Sequence, residues 1–267
     1  MGVRQDMFDH FSRVAPHYRD VRTTDEAPVR YIRDALAGRT RIVGADVGCG
    51  TGRYDLLLFR HLPGLRLTCV DLNPEMLAEL ARHLSDHGVR DFATMTAAAE
   101  DLRFPARSLD CVFSFNAVHH FDFPAFLAAA DLAVKADGEM FIYTRTPGQN
   151  AGSIWGRHFP GFLDKEARLY DIEEIEAWID RSPGFRLVGV EVYRYSRTAA
   201  LEALTRQARS RHYSTFSLYA PDEFDAALAT FADNVRRNFD DENEVRWQDG
   251  NVLVHIGREP GRGRSAE

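Results

Sequence analysis

Between residues 40 and 146, short apolar or β-branched runs alternate with amphipathic stretches, the pattern of a parallel sheet wrapped by crossover helices. The runs predict strands at 41–47 (RIVGADV), 66–71, 92–96, 109–115 and 139–145, and their near-continuous apolarity fits strands covered on both faces. Helices are predicted at 53–62, 74–87 and 124–135. The second opens on Asn73-Pro74, a capping side chain followed by proline at the first helical position. Asp137-Gly138 predicts a turn ahead of the fifth strand. After Thr146 the texture changes: residues 147–170 hold four glycines, two prolines and scattered aromatics, which predicts a mobile lid. A helix is predicted at 171–181, a sixth strand at 185–196 and helices at 199–210 and 222–238. A strand pair at 244–247 and 251–257, joined by a turn at Asp249-Gly250, follows them.

These elements predict one α/β domain over residues 1–258. Residues 1–39 form an N-terminal helical cover, 40–146 the core and 147–184 the lid, while 185–258 supply the closing strands with a helical cap inserted at 199–240. The tail 259–267 is expected to be disordered.

Composition narrows the function. The chain has 267 residues, 45% hydrophobic and 27% charged, enough to bury a full core without staples. Cys49, Cys69 and Cys111 lie far apart with no C-x-x-C pair, so neither a disulfide framework nor a metal site is expected. There is no run of about 18 apolar residues to span a bilayer, and the start carries charges where a signal peptide needs an apolar stretch. The cytoplasm is the expected location. A net charge of −7 argues against nucleic acid as a partner and favours a small-molecule substrate; a homodimer stays open.

The segment Asp46–Gly52, DVGCGTG, follows a predicted strand and opens a helix. Its glycines allow a sharp turn and close approach to a ligand, and the helix offers free N–H groups. A second strand ends in Asp71, nineteen positions after Gly52, where a carboxylate can accept both hydroxyls of a ribose. A nicotinamide fingerprint requires glycine where Arg53 stands, and no Gly-Lys-Ser/Thr follows the turn to make a P-loop.

The ordered segments VGADVGCGTG, VDLNPEML, AAAEDLRFPARSLDCV and SFNAVHHF resemble those of class I S-adenosylmethionine-dependent methyltransferases, of the type 11, ubiquinone/menaquinone-methyltransferase-like group. The resemblance covers residues 8–146. It implies a Rossmann-like, doubly wound seven-stranded sheet, mostly parallel with an antiparallel last strand, and S-adenosylmethionine as cofactor with S-adenosylhomocysteine as product. It further implies that Gly48, Cys49 and Gly50 face the methionine portion, that Asp71 holds the ribose and that Leu72 and Met76 flank the adenine. By the same resemblance Glu100, Asp101 and Leu102 form the adenine edge, Asn116 and Ala117 lie beside the methionine end, and Tyr18 on the N-terminal helix approaches the sulfonium or carboxylate, with Arg19 and Arg22 as alternative carboxylate partners.

On the acceptor side, His119 and His120 follow the fourth strand, where parallel sheets place ligand-facing groups. A packing or loop-fixing role is favoured for the pair, and of the two His120 is the candidate base. Arg206, Arg209, Arg211 and His212 concentrate positive charge beside Tyr213, Ser214 and Tyr219, which predicts an anion site or, equally, a solvated basic helix end. Trp155, Phe159 and Phe162 in the lid and Tyr193 and Tyr195 in the sixth strand are expected to line an apolar pocket with Tyr170 near its edge, or else to pack as core. The acceptor expected from these features is an anionic, partly apolar molecule of the carboxylate, phosphate or isoprenoid diphosphate class, with His120, His212 and Tyr213 as candidate catalytic groups. Two alternatives stay open: a non-catalytic cofactor-binding module and a macromolecule methyltransferase.

Overall fold

The computed structural model describes Phe8, residues 10–12, Ala15 and residues 23–259. The expectations for Tyr18, Arg19, Arg22 and the tail 260–267 lie outside the described residues.

The alternating pattern folds as α1 (Ala27–Ala35), β1 (Ile42–Val47), α2 (Arg53–His61), β2 (Leu65–Asp71), α3 (Pro74–Asp86), β3 (Phe92–Thr96), β4 (Leu109–Phe115), α4 (Phe123–Ala133) and β5 (Val134–Thr144). There follow α5 (Pro147–Gly152), α6 (Ile154–His158), α7 (Phe162–Lys165), α8 (Ile172–Arg181), β6 (Phe185–Ala199), α9 (Leu201–Arg209), α10 (Pro221–Asn238) and β7 (Val245–Arg258). Single 3-10 turns occupy Val118–His120 and Ser214–Leu218.

One sheet of seven strands has the order β3-β2-β1-β4-β5-β7-β6. The pairs β1–β2, β1–β4, β2–β3 and β4–β5 are parallel. β7 runs the other way along β6: Gly257 closes on Arg186 and Val188, while the Gln248 amide donates to Ser196 Oγ at 2.8 Å, so numbers rise on one strand as they fall on the other. The strand order reverses between β1 and β4, the position at which such sheets open a crevice for a ligand. Every residue of β4 is buried, as its apolar run requires. Its one carboxylate, Asp110, is tolerated because it accepts from the Val43 N–H at 2.8 Å and from Lys135 Nζ at 2.7 Å. The Asn73 cap forms as expected, accepting from the N–H groups of Glu75 and Met76 at 3.0 and 3.1 Å.

The chain forms two compact units. A sheet unit takes Thr24–Thr144, Ile172–Glu191 and the chain from Leu253; a helical unit takes Arg145–Asp171, Val192–Val252 and the described residues before Thr24. The segment 147–184 is divided between them, 147–171 in the helical unit and 172–184 in the sheet unit. Residues 147–170 are not irregular. Thr146 and Gln149 form a reciprocal capping box, Ser153 caps the next helix by accepting from Gly156 N–H at 3.0 Å, and Trp155, Phe159 and Phe162 are buried in the core of the helical unit. Gly156 marks close packing instead of mobility: a Cβ there would overlap the Asn150 carbonyl.

Two turn signals also resolve differently. Asp137-Gly138 lies inside β5, where the register with β4 slips. Leu109 faces Val134 and Cys111 faces Glu139, so the glycine serves a bulge. Asp249-Gly250 lies inside one continuous strand, and the expected hairpin at 244–257 is absent. Arg145 Nε donates to the Gly250 carbonyl at 3.1 Å and its NH2 group to Asp249 at 2.6 Å, while a Cβ at Gly250 would press on Gln149 at 3.1 Å. The glycine permits close approach within the helical unit.

Candidate functional site

The glycine loop lies wholly in the sheet unit, between β1 and α2. Gly48, Gly50 and Gly52 all have positive φ (74°, 56° and 81°), a conformation that side chains with a Cβ rarely adopt. The N–H groups of Gly48 and Cys49 donate to the Val70 carbonyl at 2.8 and 3.1 Å, which clamps the loop to the end of β2. Gly50 N–H then donates to Asp71 Oδ2 at 2.9 Å, and Asn73 N–H to Asp71 Oδ1 at 2.9 Å. Each carboxylate oxygen keeps lone-pair capacity for a further donor, such as a ribose hydroxyl. Burial pushes the Asp71 carboxyl up, while the N–H groups of Asn73, Gly50 and Leu72 oppose the shift.

The same loop meets the end of β4. A Cβ on Gly48 would overlap that of Ala117 and come within 2.9 Å of the Phe121 ring. Asn116 takes a left-handed φ of 54° and donates its N–H to the Tyr143 carbonyl at 2.6 Å, turning the chain sharply after β4. The sequence-predicted group Gly48, Cys49, Gly50, Asp71, Asn116 and Ala117 is thus brought together. Desolvation pushes the Cys49 thiol above its usual range.

The flanking residues divide. Leu72 is 43% exposed beside Asp71, whereas Met76 is packed in the core at 1%. The Glu100 carboxylate accepts from Asp122 N–H at 2.8 Å, which ties it to the start of α4. Asp101 is on the surface in an ion pair with Arg103 at 2.7 Å, whose hydrogen bond holds the carboxyl below its usual range; Leu102 is half-buried. His119 and His120 stand in the 3-10 turn after β4 with ring centroids 4.1 Å apart.

Sequence reasoning missed an acid pair beneath the loop. Asp46 of β1 and Asp55 of α2 are both buried, and their carboxyls hydrogen-bond each other. Cys69 Sγ donates to Asp55 at 3.1 Å, and the outer oxygens Asp46 Oδ1 and Asp55 Oδ2 have no hydrogen-bond partner among the described residues. Burial, then the charge of Asp55, drives Asp46 well up; burial also brings Asp55 from 3.8 to about 6. The arrangement is one proton shared by two carboxyls, with Asp46 as the donor. An aspartate inside the apolar run IVGADV was the available signal.

In the helical unit the expected anion site does not assemble. Arg206 is exposed and paired with Glu202 at 3.1 Å. Arg211, at φ 51°, donates to the Phe216 carbonyl and lies 4.7 Å over the Phe224 ring. His212 is a buried wedge against Trp155, its Nδ1 2.8 Å from the Gln207 carbonyl, and Tyr213 packs on Phe162 beneath Arg145. A carbonyl partner requires a proton on Nδ1, so that nitrogen of His212 is no base. Tyr219 is buried and donates to the Pro160 carbonyl at 2.8 Å; burial raises its pKa. Tyr195 stacks on Tyr193 with centroids 6.1 Å apart, as strand alternation predicts, and Tyr170 is half-buried.

A protein-family model described as a methyltransferase domain matches residues 45–138, the span from β1 into β5. Malonyl-(acyl-carrier protein) O-methyltransferase of Magnetococcus marinus is 30% identical over 141 residues, 51% of this chain and 50% of the relative, so the match spans half of that protein's length. Ubiquinone biosynthesis O-methyltransferase of Xanthomonas axonopodis pv. citri is 28% identical over 207 residues, 71% of this chain and 84% of the relative. The solved structure of the YcgJ protein of Bacillus subtilis shares the fold, with a TM-score of 0.63 at 16% identity over 89% of this chain and all of that one. With the glycine loop, Asp71 and the end of β4 assembled within it, the matched span is similar to the methyltransferase domain that the family model describes.

Proposed function

We propose that this chain transfers a methyl group from S-adenosylmethionine to an oxygen of a small, anionic and partly apolar acceptor, releasing S-adenosylhomocysteine. The observation that carries the donor half is the coupling of loop and carboxylate: Gly50 N–H holds Asp71 Oδ2 at 2.9 Å, beside a glycine cradle that a Cβ would fill. When bound, the donor supplies an electrophilic methyl group on a sulfonium. Asp71 accepts the ribose hydroxyls, the backbone of Gly48, Cys49 and Gly50 faces the methionine portion, and Asn116 and Ala117 close the same end. Leu72 offers an apolar surface to the adenine, with Glu100, Asp101 and Leu102 at its edge.

The work of such a site is mainly positioning, with a base where the acceptor must lose a proton. The role is assigned to His120, in the turn that follows Asn116 and Ala117. The oxygen acceptor is extended from the two curated relatives, both O-methyltransferases by name. Its anionic, apolar character extends the sequence reading, now without Arg211 and His212, which have packing partners instead.

Isothermal titration with S-adenosylmethionine tests the donor half. Saturable binding is expected, weakened about 10- to 100-fold in Asp71→Ala, as befits lost charge-assisted hydrogen bonds. Absence of binding to the wild-type chain overturns the proposal. Labelled-methyl transfer into carboxylate and phenol acceptors tests the other half, and His120→Ala is expected to lower kcat and alter its pH profile while donor affinity holds.

A further inference from the structure

Asp46 near the end of β1 and Asp55 in the first turn of α2 flank the glycine loop in the chain and meet beneath it. They are 1% and 0% exposed, and the hydrogen bond between their carboxyls requires a proton on one of them. Asp46 Oδ1 and Asp55 Oδ2 find no hydrogen-bond partner among the described residues. With one proton between them, the pair keeps one negative charge out of water. The charges that act on Asp46 are those of Asp55 and Asp71, both acidic. A buried carboxylate in such company is costly until a cation approaches.

Several elements face the pair. β2 places Cys69 opposite Asp46 and ends at Asp71, β4 places Phe113 opposite Asp46, and the loop contributes Cys49. Cys69 Sγ donates to Asp55 Oδ1 at 3.1 Å. Desolvation holds the Cys49 thiol up; Cys69, drawn down by its hydrogen bond with Cys49, is pushed up further by burial, to about 12. On α2 itself, Arg53 donates to Thr24 Oγ1 at 3.0 Å and keeps its charge throughout. In mildly acid and neutral solution the change of charge therefore falls on the pair and on Asp71. Burial brings Asp55 from 3.8 to about 6, within that range.

The methyl donor and its demethylated product share the adenine, the ribose and the amino-acid end. They differ by one methyl group and by the positive charge of the sulfonium. Resting on the donor site assigned above, we propose that the Asp46–Asp55 pair discriminates donor from product by charge: ionised, it favours the sulfonium over the neutral thioether, and doubly protonated it does not. The loop that the pair underlies has the form of a ligand cradle, since a Cβ on Gly48 would overlap Ala117 and one on Gly52 would reach Leu80 at 2.9 Å. A cation favours the form of the pair that has lost its proton, so donor affinity rises with pH and product affinity does not share that rise. Protonation of Asp71, whose oxygens meet the ribose, weakens both ligands together.

The test is calorimetric titration of the full chain with S-adenosylmethionine and S-adenosylhomocysteine from about pH 5 to about pH 8, in buffers of different ionisation enthalpy. The ratio of product Kd to donor Kd is expected to rise about tenfold across that range, because a nearby opposite charge moves a carboxyl pKa by about one unit or more. Near pH 6, donor binding is expected to release protons that product binding retains. Asp46→Asn/Asp55→Asn removes both carboxyls with little change in volume and is expected to give a ratio that does not change with pH. Asp46→Asn alone sets an amide donor beside the Asp55 carboxylate, so the rise is expected at lower pH. A pH-independent ratio in the wild type, or an equal rise in the double variant, overturns the proposal; if the double variant does not fold, an unshifted rise in Asp46→Asn does so. Failure of both ligands to bind the wild-type chain at any pH overturns the donor reading itself, and the proposal with it.

Discussion

Asp46 and Asp55 face each other out of water, and the proton between them makes stability depend on pH. The carboxyl of Asp55 has a folded pKa of about 6 against 3.8 when free, and Asp46 is shifted in the same direction. The native chain thus holds protons that the unfolded chain has released above about pH 4, so stability falls as pH rises through the folded values, by up to about 1.4 kcal/mol per pH unit for each proton held. Asp46→Asn supplies an amide donor in place of the protonated acid. Thermal unfolding followed from pH 5 to 8 is expected to show a falling Tm in the wild type and a flatter profile in the variant. Parallel profiles would rule out the shared proton. The aspartate was visible in the sequence, but its partner was not: only the fold brings residue 55 of a helix onto residue 46 of a strand.

At the scale of elements, local chemistry decides what composition leaves open. Asn73 accepts two N–H groups at the start of α3, so Asn73→Ala is expected to cost about 1 kcal/mol, read as a lowered urea midpoint at unchanged slope. That cap and the strand runs of β1 to β5 were legible because their signals are local. Where the deciding partner lies far along the chain, the reading failed. The aromatics at 155–162 looked like a loose lid because Phe216, Phe224 and Phe231, which bury them, come more than fifty residues later. Gly138 and Gly250 looked like turns because glycine marks reversal and close approach alike, and only the neighbouring chain separates the two. The basic segment 206–212, open in the sequence between an anion site and a solvated helix end, was undecided for the same reason, since the carbonyls of Gln207 and Phe216 take groups that the sequence offered to a ligand.

For the molecule as a whole, the matched span 45–138 is not a self-sufficient body. Within the sheet unit the His255 ring stacks on Phe141 at 4.5 Å, its Nε2 lies 2.7 Å from Glu139 Oε2, and its Nδ1 lies 3.1 Å from Tyr31 Oη. Leu253, Val254 and Ile256 of the same strand are fully buried. Removing β7 leaves that apolar edge open to water, a surface prone to association. A fragment ending at Thr146 is therefore expected to aggregate or to unfold without a cooperative transition in calorimetry. A sharp, reversible transition near that of the full chain would show the matched span to be independent.

The strand order β5-β7-β6 has a further consequence for how this chain is made. Translation delivers β6 before β7, yet among the described strands β6 has β7 as its only neighbour in the sheet. Fifteen residues of strand, with exposed Val192 and partly exposed Val188, emerge with nothing to pair against until residues 245–258 follow. The nascent chain thus carries an orphan strand while α9 and α10 are being synthesised. Any codon-level pause between residues 200 and 244 lengthens the interval in which a chaperone, or another copy, finds that strand first.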